Sequence, residues 1–490
     1  MDYQPKIGLE IHAELKTKTK MFCSCINNSQ ETSPNVNICP ICMGHPGTLP
    51  TINEEAVKKV VKTGLALNCQ IQRETFFERK NYFYPDLPKG YQISQYQLPL
   101  CQNGYLIIHG RKIRIRRIHL EEDTAKLIHP EGKNYSLLDF NRAGIPLMEL
   151  VTEPDIVSAK EAKEFAKELQ LILRYLDVSD ADMEKGQMRI EANVSLSQMS
   201  NVKSQILGRK VEIKNLNSFK AVERAIEYEI KRQKEILESG GEVIQETRGW
   251  DPKKGITFSQ REKEEAHDYR YFPEPDLPPL KLSEEFIQNI QFSLPELPFH
   301  KRARFLEEFK LSESTVEALI NNKDLSEYFE KAVSELLRWI EDKKIPKEDS
   351  EKLINNLANY LLTEALGLLR GKPFIEKEFP ITPENFAEFI TIIYEKNLTS
   401  KLAKILLEEM YKTGGDPSDI LKEKDLVQIE DTDFLREVVQ KIITQNQKAV
   451  EDYKQGKTTA LQFLIGQVMK ETKGKADPTL TKKLLEELLR

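Results

Sequence analysis

Near residue 290 the hydrophobic period of this chain changes, and the change points to an α+β chain with its sheet first. Upstream, short alternating segments are split by Gly and Pro turns, the pattern of a mostly antiparallel sheet with some helices. Downstream the period is helical. Phe386, Phe389, Ile390 and Ile393 recur at i, i+3, i+4 and i+7 behind Thr382-Pro383, an N-cap followed by a first helical residue, so a helix is predicted there. The Pro-rich stretches FPEPDLPPL at 272–280 and LPELP at 294–298 read as a semi-rigid boundary. Gly414-Gly415-Asp416-Pro417 marks a second break.

At 490 residues, 39% of them hydrophobic, the chain can bury several cores, and two to four domains are expected. Its 72 basic and 78 acidic residues leave a net charge of −6, which excludes nucleic-acid binding driven by bulk charge but not by a local basic patch. No apolar run approaches the roughly 18 to 20 residues of a membrane span, and MDYQP lacks the basic and apolar regions of a signal peptide. A soluble, cytoplasmic protein is expected.

The first half carries ionisable residues on one face of its strands. In IGLEIHAEL (7–15), Ile7, Leu9, Ile11 and Ala13 alternate with Gly8, Glu10, His12 and Glu14. RIEANVSL (189–196) sets Ile190, Ala192, Val194 and Leu196 against Arg189, Glu191, Asn193 and Ser195, and KVEIK (210–214) sets Val211 and Ile213 against Lys210, Glu212 and Lys214. Any one such strand reads more readily as a solvated surface strand. Together they predict a sheet with a charge-dense face. Glu10 and His12 supply an oxygen and an imidazole ligand, and further glutamates in HLEEDTAK (119–126) and PLMELVTEP (146–154) could complete a divalent-cation site. Oxygen-rich ligation suits magnesium, which arrives with substrate phosphates.

Four of the six cysteines fall close together: Cys23-x-Cys25, then thirteen residues, then Cys39-x-x-Cys42. Two thiol pairs joined by a loop can present four sulfurs to zinc, and zinc is the expectation, with free thiols the alternative because the first pair is tightly spaced. Cys69 and Cys101 read as small buried hydrophobes.

The P-loop, GxGxxG, GxSxG and HExxH patterns are absent from the sequence, so a nucleotide site must be of another kind. Arg111, Lys112, Arg114, Arg116 and Arg117 either meet phosphate or pair with Glu121-Glu122-Asp123. RKNYFYPDLPKGYQ (79–92) interleaves Lys80 and Lys89 with four aromatics, either as a base-stacking platform or as a packed aromatic turn.

IGLEIHAEL, FERKNYFYPDLPKGYQISQY, LEEDTAK, NRAGIPLMELVTEPD, GQMRIEANVS and KVEIKNLNSFKAVERAIEYE closely resemble the B-subunit family of aspartyl/glutamyl-tRNA amidotransferases. GKTTALQFLIGQVMKETKGKADPTLTKKLLEELL resembles that family's tail, and the likeness runs in order from about residue 3 to 489. The resemblance implies a cradle (1–290), a helical domain (291–410) and a small all-α tail (411–490). It implies ATP-dependent amidation of glutamate or aspartate mischarged on tRNA(Gln) or tRNA(Asn): the carboxylate is phosphorylated, then ammonia displaces phosphate. The implied partners are an amidase A subunit, which supplies ammonia, a small C subunit, and Glu-tRNA(Gln) or Asp-tRNA(Asn). Carried onto this sequence, the magnesium and ATP site falls on Glu10, His12, Glu122 and Glu149, with Glu191 beside them and Lys80 near the ammonia entrance. Zinc at Cys23, Cys25, Cys39 and Cys42 is then structural.

The tail distributes its charge unevenly. Residues 416–437 hold three basic and eight acidic residues, and 453–490 hold eight basic and four acidic, with cations gathered at Lys470, Lys473, Lys475, Lys482 and Lys483. Such a module fits either a grip on the RNA backbone or a solvated basic helix; the resemblance favours the first. The competing reading of the whole chain is a non-catalytic, zinc-containing scaffold that presents tRNA to a partner.

Overall fold

A computed structural model of the chain describes residues 3–198, 208–262, 268–396, 398–424, 432–472 and 474–489. Two compact units are present, Met1–Pro298 and Phe299–Arg490.

The first unit is built on a nine-stranded sheet whose strands are β1 (Tyr3–Glu14), β2 (Gln70–Ile71), β3 (Cys101–Ile108), β4 (Arg111–Glu122), β5 (Pro146–Thr152), β6 (Met188–Gln198), β7 (Val211–Leu216), β8 (Glu246–Asp251) and β9 (Ile256–Glu262). Their spatial order is β9-β8-β7-β6-β1-β5-β4-β3-β2. Every pairing is antiparallel except β7 with β8, so the fold is the expected α+β arrangement. β1 lies centrally, between β5 and β6, and its register aligns His12 with Glu149 on one side and Glu10 with Glu191 on the other.

The alternation decides which face packs. Ile7, Leu9, Ile11 and Ala13 are fully buried, as are Ala192 and Val194 on β6 and Ile118 and Leu120 on β4. These side chains share a core with helices α1 (Glu54–Ala66), α2 (Ala159–Tyr175) and α3 (Phe219–Glu238), which contribute Val57, Val60, Phe165, Leu169, Val222 and Ile226. Each such side chain contributes on the order of 2 kcal/mol by leaving water. The helices start where side chains cap them: Ser158 accepts from Glu161 N–H and Ser218 from Ala221 N–H. With one face closed by helices, the other carries the ionisable residues. Over part of it stands a three-stranded sheet of Glu78–Asn81, Tyr91–Ser94 and Phe272–Pro273.

The second unit is helical throughout its described residues. The predicted helix runs Pro383–Glu395; Thr382 accepts from Asn385 N–H, and Phe386, Phe389 and Ile390 are buried. Gly414, at φ +68°, closes the helix Ser400–Thr413 in the left-handed conformation, and Asp416 caps the next helix, Pro417–Glu423. Residues 432–489 have an apolar core of their own around Leu435, Val439, Leu464, Val468 and Leu485. The helix Glu284–Phe292 belongs to the first unit, where Lys58 of α1 lies over the Phe286 ring, so the first unit ends at Pro298, beyond the expected residue 290. Residues 299–490 form one unit.

Candidate active site

The charged face of the sheet lines a cavity of about 730 Å³. Glu10, His12, Glu149, Glu191 and Lys80 all border it, so five of the six residues expected at the site come together. Glu122 does not. Its neighbour Glu121 faces the cavity instead, because successive side chains on β4 point to opposite faces. Glu121 shares the face of His119. Glu122 shares the face of Leu120 and turns toward a separate small cavity of about 190 Å³, lined also by Cys42, Gly44 and Lys89. There its carboxylate is bonded to the Lys89 ammonium and accepts from Ile93 N–H at 3.1 Å. Glu122 is therefore not grouped with Glu10, His12 and Glu149 in this structure.

The carboxylates form two groups. In the first, His12 Nε2 lies 3.4 Å from Glu121 and 3.6 Å from Glu149, and ligand atoms of all three fall within 4.8 Å of one another. Register explains the convergence: His12, Glu149 and His119 occupy one cross-strand row. His119 Nε2 adds a contact of 3.3 Å to Glu149, while its buried Nδ1 has no hydrogen-bond partner among the described residues. In the second group Glu10, Glu191 and Glu212 approach equally closely, with Lys214 Nζ 2.9 Å from Glu191 and Asn193 donating to Glu10 at 2.9 Å.

Electrostatics follow from crowding of like charges in a dry site. Burial raises the Glu10 pKa, and Glu149 and Glu191 raise it further. Burial alone would lower the pKa of His12, but Glu121 and Glu149 outweigh it and hold the imidazolium up to about 10. Reciprocally, despite burial, His119 and His12 hold Glu121 down to about 2, and against the still larger effect of burial on Glu149 the two histidines, His119 foremost, hold that carboxyl well below its ordinary value. His12 and His119 thus offset charge in the first group, and Lys214 does so in the second. Either group has the donors for a hard divalent cation.

The opposite wall is aromatic and cationic. Tyr82, Tyr96, Tyr269 and Tyr271 border the cavity with Lys80, whose Nζ lies 5.1 Å from the Tyr269 ring centroid. The 79–92 segment is divided: Tyr82 and Tyr84 face the cavity, whereas Phe83 is 92% exposed. Of the basic run on β4, Arg114 pairs with Asp155 and Arg116 with Glu153, partners from beyond β5 and not the expected Glu121–Asp123 cluster. Arg117 differs because a bulge opposite Val151 and Thr152 turns it into the cavity, 3.6 Å from Glu149. Asp123, held between Arg142 and Arg189 at 2.6 and 2.8 Å, fixes one end of the floor. Alternation puts Glu212 on the charged face without assigning it to the site. Glu121 is legible by parity with His119, whereas the alternation carried forward from Ile113 and Ile115 puts Arg117 on the packed face, and the bulge reverses it.

The four cysteines of the two close pairs also converge. Their sulfurs all lie within 4.8 Å of one another. A tetrahedral zinc with bonds of about 2.3 Å needs sulfurs about 3.8 Å apart, so the set fits with a small contraction. A hydrogen bond with Cys23 and the Cys39 N–H lower the Cys42 pKa to about 5 against burial, and the nearby Lys20 ammonium adds to the effect. Cys23 is raised above its ordinary value by that hydrogen bond and by burial. Burial raises Cys25 to about 11. Cys101 is buried and Cys69 half-buried. No described helix is long and apolar enough to cross a membrane.

The family model described as the GatB/GatE catalytic domain matches residues 5–288, and that described as the GatB domain matches 343–489. The chain is 48% identical to the aspartyl/glutamyl-tRNA(Asn/Gln) amidotransferase B subunit of Caldanaerobacter subterraneus subsp. tengcongensis over 493 residues, covering 100% of both chains. It is 48% identical to the corresponding B subunit of Persephonella marina over 495 residues, again covering 100% of both. The same identity holds with the Thermotoga maritima B subunit over 498 residues, 100% of this chain and 99% of that one. Matched from end to end and carrying both family domains, the chain belongs to the B-subunit family of tRNA amidotransferases.

Proposed function

We propose that this subunit activates the side-chain carboxylate of glutamate or aspartate mischarged on tRNA(Gln) or tRNA(Asn), using ATP, and completes the amide with ammonia. A carboxylate is a poor acyl donor until one of its oxygens becomes a leaving group. In the first step a carboxylate oxygen attacks the γ-phosphorus and ADP departs, leaving an acyl phosphate. In the second, ammonia attacks the carbonyl, phosphate leaves and a proton is lost.

The observation that carries this reading is the cavity itself, where two carboxylate groups and His12 share one space with Lys80, Arg117, Arg189, Lys210 and Lys214. Magnesium held by His12, Glu121 and Glu149, with Glu10 and Glu191 beside it, would neutralise phosphate charge there. Arg117, Arg189 and Lys210 offer charge to the phosphate oxygens. Lys80, against the tyrosine wall, is placed to meet the incoming nucleophile or the substrate carboxylate. The crowded acidic floor keeps the site from taking a bare anion.

The remaining assignments are of the same standing. Ammonia comes from a partner amidase A subunit, a small C subunit completes the heterotrimer, and the complex acts in the cytoplasm, where its tRNA substrates are. The cysteines hold zinc structurally, since four thiolates leave no open coordination position. Lys470, Lys482 and Lys483, which are exposed, contact tRNA phosphates; Lys473 lies outside the described residues. The test is the reconstituted complex supplied with each mischarged tRNA, ATP and glutamine. ATP-dependent formation of the amide supports the reading, and a scaffold would show no ATP turnover.

A further inference from the structure

Lys20 is fully buried, with 0% of its surface exposed. Its Nζ donates to Phe140 O at 3.3 Å and lies 3.8 Å from Cys42 Sγ. Among the described residues no carboxylate lies within 4.0 Å of it. Other sequestered lysines are treated differently: Lys301 Nζ has Glu330 at 3.0 Å, and Lys89 is bonded to Glu122. A buried ammonium is costly unless an opposite charge is at hand, and a backbone carbonyl supplies only a dipole.

Among the described residues the one ionisable group in contact with the Lys20 ammonium is Cys42 of the cysteine cluster. Neutral thiols would leave the ammonium uncompensated, and a single thiolate at Cys42 would only match it charge for charge. Four thiolates around a divalent ion carry a net charge of −2, which an adjacent ammonium reduces to −1. We infer that Lys20 is the built-in counter-charge of a tetrathiolate metal centre, a positioning residue that holds the four cysteines as a metal-bound anion. The inference rests on the zinc reading of these cysteines and adds to it the residue that makes the charge tolerable in a buried site.

Lys20 also ties that centre to the candidate active site. Phe140, whose carbonyl it holds, begins the turn that leads into β5. Met21 N–H donates to Gly144 O at 2.8 Å, and Gly144 N–H donates to Asp123 O at 2.9 Å, within the same turn that carries Arg142 to Asp123. The metal centre thereby braces the entry to the strand bearing Glu149.

The test uses the full chain as wild type, K20M and K20R, each loaded with zinc and then stripped with a chelator. Wild type is expected to hold one zinc and, when cobalt replaces it, to show thiolate-to-metal charge transfer. K20M is expected to lose zinc to the competing chelator about 10 to 100-fold more readily, the range for removing an outer partner of a metal ligand. K20R, which keeps the charge, should stay close to wild type. The discriminating readout is thermal stability with and without metal. If Lys20 serves the charge of the centre, K20M destabilises the zinc form more than the stripped form, where only the Cys42 sulfur is left to pair with the ammonium. Equal destabilisation of both forms would overturn the inference in favour of simple packing, as would unchanged zinc affinity in K20M. A K20R chain that folds but no longer holds zinc would overturn it as well, and does not depend on K20M folding. A wild type that takes up neither zinc nor cobalt overturns the zinc reading and this inference with it.

Discussion

Two adjacent glutamates on β4 fall on opposite faces, one in the candidate site and one outside it. Glu121 faces His12 at 3.4 Å inside the large cavity, whereas Glu122 is bonded to the Lys89 ammonium on the other side of the strand. Glu121→Gln should lower ATP-dependent amidation by at least about 10²-fold and, by taking a partner from His12 and His119, also lower the thermal midpoint, as steady-state kinetics beside a melting curve will show. Glu122→Gln should instead leave Lys89 buried without its partner and destabilise the first unit by about 3 kcal/mol, read by urea unfolding. Glu14 supplies a pH dependence. Burial, and then the nearby Asp123, raise its pKa from 4.5 to about 7 against the pull of Ser29, Arg142 and Arg189. The folded chain therefore binds this proton more tightly than the unfolded one, so its contribution is most favourable below about 4.5 and is lost as pH rises to about 7. Relative to wild type, Glu14→Gln should gain stability across that window, by on the order of 2 kcal/mol, in unfolding curves at pH 5 and pH 8.

At the scale of elements, the period of the sequence accounts for most of the candidate site. Glu10, His12 and Glu191 share a face because strands alternate, and the register of β1 with β5 and β6 brings them to Glu149. Parity alone separates Glu121 from Glu122, yet a motif match does not respect parity, and it groups Glu122 with residues on the other face. The bulge that turns Arg117 inward is not legible, because an extra residue in a ladder leaves no mark on composition. Pairing partners of the basic run are equally hidden: Glu153 and Asp155 lie about forty residues on and meet Arg116 and Arg114 only through the sheet. Helix Pro383–Glu395 is legible to its cap, since Thr382, Pro383 and the apolar stripe all act locally. Thr382→Ala should destabilise the second unit by about 1 kcal/mol, measurable by denaturant unfolding, with ATP turnover unaffected.

For the whole molecule, the change of period near residue 290 foretells a sheet unit followed by a helical one, although the first unit runs on to Pro298 because Glu284–Phe292 packs with its helices. The proposed function divides labour between the units: chemistry on the charged sheet face, and tRNA phosphate contacts on the exposed lysines of residues 432–489. Replacing Lys470, Lys482 and Lys483 with alanine should therefore weaken tRNA binding and reduce its salt dependence by roughly one unit of slope per lysine replaced, in filter-binding titrations. The central claim is that the cavity on the sheet face uses ATP to activate a tRNA-linked carboxylate. Its most direct test is amide formation on mischarged tRNA by the reconstituted complex carrying wild-type or Glu149→Gln chain, with ammonia supplied directly and ATP present or withheld. Wild type is predicted to form the amide only with ATP, and the variant to form almost none although it still binds tRNA. Amide formation without ATP, or at the wild-type rate by Glu149→Gln, would contradict the claim.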